Sequence, residues 1–188
     1  MTASTNTQAG TTTWKLDPAH TLVEFTAKHM MITNVRGRFA DIAGAIEVDE
    51  SNPNDSSVTV ELEAASIDTR VEQRDQHLRS ADFLDVEKFP KVTFRSTKVE
   101  GASFEPGESF RVTGDLTIRG TTREVVLDAT FEGRGKDPWG GERVSFSADT
   151  KIDRRNFGLT WNAALETGGV LVGNDIKIHI EAQAVLEA

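Results

Sequence analysis

No cysteine occurs in the 188 residues, which excludes a disulfide framework, a thiolate nucleophile and any Cys-ligated zinc or iron site. Positive charge is short as well. Lys and Arg number 21 against 30 Asp and Glu, a formal net charge of −9 with an isoelectric point near 5.0. The long-range field of such a chain repels nucleic-acid phosphates and disfavours anionic membrane surfaces. No apolar run approaches the roughly 20 residues that span a bilayer, and the opening MTASTNTQAGTTT lacks the basic and apolar regions of a secretory signal. Residues 1–13 read as a disordered polar tail and residues 14–188 as one domain. The expected chain is cytoplasmic, with no stable membrane insertion and no nucleic-acid partner. Catalytic signatures are equally scarce: there is no G-x-S-x-G elbow and no H-E-x-x-H. The four histidines, at 20, 29, 77 and 179, lack metal-ligand spacing. No catalytic residue, metal or cofactor is expected.

What the chain does contain is period-two alternation, which puts successive side chains on opposite faces of a strand. Val23, Phe25, Ala27 and His29 share one face, and Val58, Val60, Leu62 and Ala64 repeat the pattern. Val92, Phe94 and Ser96 follow, then Phe110 to Ile118, Val125 to Phe131, Val144 to Ile152 and Ile176 to Ala182. The segment 35–48 changes parity near Gly44, which predicts a bulge there. Turns such as DESNPNDS, EGASFEPGES and GRGKDPWGGE separate the strands. About eight strands joined mostly by short turns predict an antiparallel sandwich or an up-and-down barrel, the latter leaving no exposed edge.

One stretch breaks the rhythm. TRVEQRDQHLRS, from Thr69, reads as a charged helix over residues 70–79, with Thr69 and Glu72 as a capping box and Asp75 and Arg79 as an i,i+4 ion pair. Val71 and Leu78, seven apart, form a narrow apolar stripe suited to lying across a barrel end. A second turn in SADFLD, capped by Ser80 with Phe83 inward, extends this helical cap to about residue 84.

Many inward positions are small, among them Ala27, Gly114, Ala129 and Ala148. They describe either a hollow apolar channel or a filled core in which large and small residues interlock. In the hollow reading the wall carries the aromatics Phe25, Phe39, Phe83, Phe94 and Phe146, with the aliphatics Leu116, Ile118 and Ile178. His29 is then the polar contact inside; otherwise it is a core histidine bonded to a backbone carbonyl. Arg74 and His77, three apart on one helix face, offer an anion contact for a head group or belong to a solvated, ion-paired face. Arg154 and Arg155 can fork onto a phosphate or carboxylate, or pair with nearby acids.

The segments WKLDPAHTLVEFTAKHMMITNVRGRF, SIDTRVEQRDQHLRSADFLDVEKFPKVTFRST, VTGDLTIRGTTREVVL and IDRRNFG, in this order, resemble the YceI-like family of lipid-binding proteins from about Trp14 to Ala184. One departure is Thr21, where the family commonly has Ser. The resemblance implies an extended eight-stranded antiparallel, lipocalin-like barrel with a short helical cap. It also implies an elongated polyisoprenoid, such as an isoprenoid quinone or prenyl phosphate, held in the interior for carriage or sequestration. Relatives are often dimers, which makes a homodimer the implied assembly, and many are periplasmic. Two other readings stay open: an enzyme acting on an isoprenoid or lipid head group with His29 or His77 as base, and a filled-barrel structural or signalling module.

Overall fold

The computed structural model describes residues 10–188. Its strands are β1 (Thr11–Leu16), β2 (Leu22–His29), β3 (Thr33–Phe39), β4 (Ile42–Asp49), β5 (Ser57–Glu63) and β6 (Ile67–Asp68), then β7 (Lys91–Glu100), β8 (Ser109–Ile118), β9 (Thr121–Lys136), β10 (Glu142–Asp153) and β11 (Val172–Leu186). A helix, α1 (Glu72–Arg79), stands between β6 and β7.

Eleven strands build an eight-membered ring because three of the members are bent in the middle. Strands β1 and β2 both run antiparallel to β11, so they are two halves of one wall. The next wall is β3 with β4, which pair with β2 and β1 respectively. The third is β6 with β5. Each remaining strand pairs with its sequence neighbour, and β11 returns to β1. The result is a closed antiparallel up-and-down barrel.

The three bends lie side by side. After β1 the chain meets Pro18, which has no N–H to give to a ladder, and Asp17 accepts from the Ala19 N–H at 3.0 Å to start a single 3₁₀ turn. Between β3 and β4, the Ala40 N–H donates to the Ser66 carbonyl at 3.2 Å and the Asp41 N–H to Ser66 Oγ at 3.0 Å. Ser66 itself closes the third bend, between β5 and β6.

Two expectations need correcting here. Gly44 is not a bulge: β4 pairs with β5 in unbroken register from Ile42↔Leu62 to Glu47↔Ser57. The parity change in segment 35–48 comes from the corner at Ala40 and Asp41, because the segment is two strands. The tail also ends earlier than expected, since Thr11, Thr12 and Thr13 pair with Asp49, Val48 and Glu47. The rest of the expected tail, residues 1–9, lies outside the described residues.

The two ends of the barrel differ. At one end lie the connections β2–β3, β6–β7 with α1, β8–β9 and β10–β11, here called the lid end. At the other lie the connections β4–β5, β7–β8 and β9–β10, the turn end. No helix among the described residues is long and apolar enough to cross a membrane.

Candidate functional site

The inward alternation does not fill the barrel. A cavity of about 330 Å³ runs through it, within the range of roughly 300–1,000 Å³ that small-molecule sites occupy. Phe25, Phe39, Phe94 and Phe146 line it, together with Leu116, Ile118 and Ile178, and Phe83 bounds it at the lid end. Two of these rings have room because the neighbouring strand carries glycine. Phe25 sits opposite Gly37, and a Cβ at Gly37 would strike the Phe25 ring. A Cβ at Gly114 would likewise strike the Phe94 ring. Phe110, Val60 and Leu127 are also on the wall; their parity placed them inward, although they were not among the candidate lining residues. No side-chain polar atom buried among the described residues lacks a hydrogen-bond partner.

His29 does not reach this space. It is the last residue of β2, opposite Thr33 and Val172, whereas the cavity wall on that strand ends at Ala27. The ladder shifts register between Val172 and Ile176 at this point, so the strand outruns the cavity.

The lid is built differently from its expected form. Val71, not Thr69, occupies the N-cap of α1, and no side chain caps the helix. Thr69 turns its N–H and hydroxyl onto Asp75, with the N–H bond at 2.9 Å and both residues buried. That removes the expected Asp75–Arg79 pair. Arg79 instead donates to the Ala65 carbonyl at 2.8 Å, the Ile67 carbonyl at 3.2 Å and Glu72 at 3.3 Å. Leu78 faces the cavity, but Val71 is 46 % exposed, because it precedes the helix. Ser80 ends α1 by donating to the His77 carbonyl at 2.6 Å, and its Oγ accepts from the Asp82 N–H at 3.3 Å. Phe83 and Leu84 are then buried beneath it.

Arg74 and His77 do not form a joint anion contact. Arg74 is spent on Thr69, its Nε donating to Oγ1 at 2.7 Å and its Nη2 to the carbonyl at 2.8 Å. His77 lies 2.9 Å from Asp82 through Nε2 and packs edge-on against Trp161 and Phe83, with centroids 4.6 and 5.1 Å away. Trp161 thereby joins the lid to the β10–β11 connection, a contact that no local pattern announced.

Arg154 and Arg155 point apart. Arg155 folds back onto Asp153, with Nη2 to Oδ2 at 2.6 Å; that guanidinium pulls the Asp153 carboxyl down to about 2. Arg154 is 3 % exposed and lies on the cavity wall, the one charged residue there among the described residues. It donates to four backbone carbonyls: Gly173 at 2.9 Å, Leu159 at 2.5 Å, Trp161 at 2.9 Å and Val172 at 3.3 Å. A guanidinium carries five N–H donors, so one remains unspent. No carboxylate lies within 4.0 Å of it among the described residues, and burial lowers its pKa, opposed by the charge of Asp153. No cluster of three or more metal-ligating side chains occurs among the described residues.

A closed eight-stranded antiparallel barrel, hollow, apolar inside and capped by one helix, defines a lipocalin-like fold. The chain belongs to the YceI-like family, whose domain model matches residues 14–184. It is 42 % identical over 141 residues to Protein YceI of Salmonella newport, covering 75 % of this chain and 72 % of that relative. Among solved structures, a YCEI protein of Campylobacter jejuni is 33 % identical with a TM-score of 0.72, over 86 % of this chain and 90 % of that one. BcnA of Burkholderia cenocepacia shares the fold at a TM-score of 0.76 with 22 % identity, over 89 % and 98 %. So does a polyisoprenoid binding domain from Saccharophagus degradans, at 0.71 with 13 % identity, over 93 % and 98 %.

Proposed function

We propose that this protein binds a polyisoprenoid or a similar long-chain amphiphile, without chemical conversion, for carriage or sequestration. The observation that carries the reading is the continuous apolar cavity with a single buried cation on its wall. Strand β9 has 16 residues, so at about 3.3 Å per residue and a tilt near 40° the barrel is on the order of 40 Å tall. An elongated chain suits that shape better than a compact ring system. Burying several hundred Å² of it gains roughly 10 kcal/mol at about 25 cal/mol per Å², before ordering costs. The fold shared with a polyisoprenoid binding domain is consistent with such a ligand. Arg154 orients it: an unneutralised guanidinium with an unspent donor favours an acceptor-bearing head, a phosphate, carboxylate or quinone carbonyl, at the lid end. A tube of this kind discriminates one methylene by only about 1 to 3 kcal/mol, so neighbouring chain lengths compete.

The test is to purify the protein natively, extract it with organic solvent and identify bound lipid by mass spectrometry. One prenyl lipid per chain is the expected result. Phe94→Asp, which puts a charge into the wall, should abolish its retention, while Lys98→Ala on the outer surface should not. A protein that carries nothing and ignores added prenyl lipids would overturn the reading in favour of a barrel that serves only to present its loops.

A further inference from the structure

The β2–β3 hairpin, tied to the β10–β11 connection through the Met30 N–H, which donates to the Leu171 carbonyl at 2.7 Å, ends in three apolar residues with exposed side chains. Met30, Met31 and Ile32 are 41, 56 and 74 % exposed. Met30 and Met31 are the central residues of a turn closed by the Ile32 N–H donating to the His29 carbonyl at 3.1 Å, and both have positive φ, 52° and 62°. His29 pairs with Thr33, so three residues form the loop; consecutive left-handed positions in a hairpin turn are ordinarily filled by Asn and Gly. Methionine suits neither that backbone conformation nor the water around the exposed part of its side chain.

The charge around this tip runs against the rest of the molecule. Residues 25–40 contain Lys28, Arg36 and Arg38 and no acidic residue, in a chain of net charge −9. Lys28 and Arg36 are exposed, and among the described residues neither has a carboxylate within 4.0 Å, whereas Arg38 lies 3.6 Å from Asp68. Of the other acids at the lid end, Glu72, Asp82 and Asp175 each face a basic side chain. Asp85 and Glu87 stand on the β6–β7 connection, and Glu166, the one acid on the segment that touches the tip, stands on the β10–β11 connection, whose Leu171 carbonyl accepts from the Met30 N–H.

We infer that the β2–β3 hairpin docks the lid end onto an anionic lipid bilayer, Met30, Met31 and Ile32 entering the interface while Lys28 and Arg36 meet the head groups. The whole-chain charge disfavours such a surface only at long range, because screening confines it to about 10 Å at ordinary ionic strength, and the local charge at the tip is of the opposite sign. A second copy of the chain suits the tip less well. The three side chains together expose on the order of 300 Å², against the ~800 Å² per partner that a stable protein interface buries. Docking is independent of what the cavity carries and of which end admits it, so it stands or falls apart from the proposed function.

Cosedimentation of the full chain with vesicles tests it, comparing phosphatidylcholine alone with roughly seven parts phosphatidylcholine to three of phosphatidylglycerol. Binding is expected only to the anionic vesicles and should weaken with added salt. The double substitution Met31→Asp with Ile32→Asp should weaken it roughly tenfold or more, and Lys28→Glu with Arg36→Glu should abolish the preference for phosphatidylglycerol. All variants should keep the wild-type far-ultraviolet circular dichroism, since the altered side chains are exposed. Trp139→Asp is the control, because Trp139 is 87 % exposed but lies on the β9–β10 turn at the opposite end. Three results would overturn the inference: no vesicle binding by the wild type, equal loss with Trp139→Asp, or a tip variant that changes the sedimentation state in solution while leaving vesicle binding intact.

Discussion

Both ends of the barrel are held by arginines, but the arginines end on different acceptors. At the lid end, Arg74, Arg79 and Arg154 donate chiefly to main-chain carbonyls of Thr69, Ala65, Ile67, Leu159, Trp161, Val172 and Gly173. At the turn end they meet carboxylates. Arg134 binds Glu142 at 2.7 Å and Glu50 at 3.0 Å while lying over the Trp14 ring, and Arg143 binds Asp17 at 2.7 Å and Asp137 at 2.9 Å. The difference has a physical consequence. A connection without ladder partners leaves carbonyls that need donors, and long loops cross the lid end. The turn end has short connections, so its arginines are available to tie rim to rim. Carbonyls do not titrate in the pH range a protein meets, whereas carboxylates take up a proton in acid, so the two ends should respond differently to acid.

The largest expected effect is at the turn end. Phe131 is 2 % exposed and packs against Phe104 and Phe146. Phe131→Ala should cost about 3 to 5 kcal/mol in denaturant unfolding without altering head-group preference. At the lid end, Arg154→Met should cost about 3 kcal/mol, because four carbonyls lose their donor. It should also lower affinity for acidic prenyl lipids more than for neutral ones, measured by competition. Equal loss for both kinds would show that Arg154 shapes the loop and nothing more.

Acid sharpens the contrast further. Arg143 and His20 hold the Asp17 carboxyl at about 2, below its ordinary 3.8. A carboxylate whose folded pKa is depressed stabilises the protein above its unfolded pKa and loses that contribution as pH falls through the folded value. Asp17 should therefore add about 1 kcal/mol above pH ~4, after allowance for solvent screening, and lose it on approaching pH ~2. Asp17→Asn should flatten the urea-midpoint profile over that window, while Arg154→Met keeps the wild-type slope. The smallest effect separates the two residues of the helix stripe: Val71→Ala should change stability by less than about 0.5 kcal/mol, and Leu78→Ala, which loses a cavity contact, should cost about 1 to 2 kcal/mol.

Much of the barrel was legible in the chain because strand parity is a local property. Alternation at Val58 to Leu62, Phe110 to Ile118 and Ile176 to Ala182 was enough to choose the inward faces, and Phe25, Phe94 and Phe146 could be placed on the wall from it. The lid helix was also legible to within two residues at its start. What misled was chemistry with more than one local partner. Thr69 fits a capping box with Glu72 and Asp75 fits an ion pair with Arg79, yet the two residues bond to each other. The parity slip at Gly44 suited a bulge, and only the pairing of β3 and β4 with different halves of one bent wall shows it to be a corner.

By itself, then, the amino-acid order determined the strands, their faces, the position of the cap and the absence of thiol chemistry, all of which depend on neighbours a few residues away. Tertiary structure decided whether the interior is hollow, since that depends on how side chains from opposite walls meet across the barrel. It decided also that His29 falls beyond the cavity and that Arg154 turns inward while Arg155 turns out, because the direction of a long side chain is set by carbonyls up to nineteen residues away. Faces are set by the two-residue repeat of a strand; cavities and buried charges are set by closure of the ring.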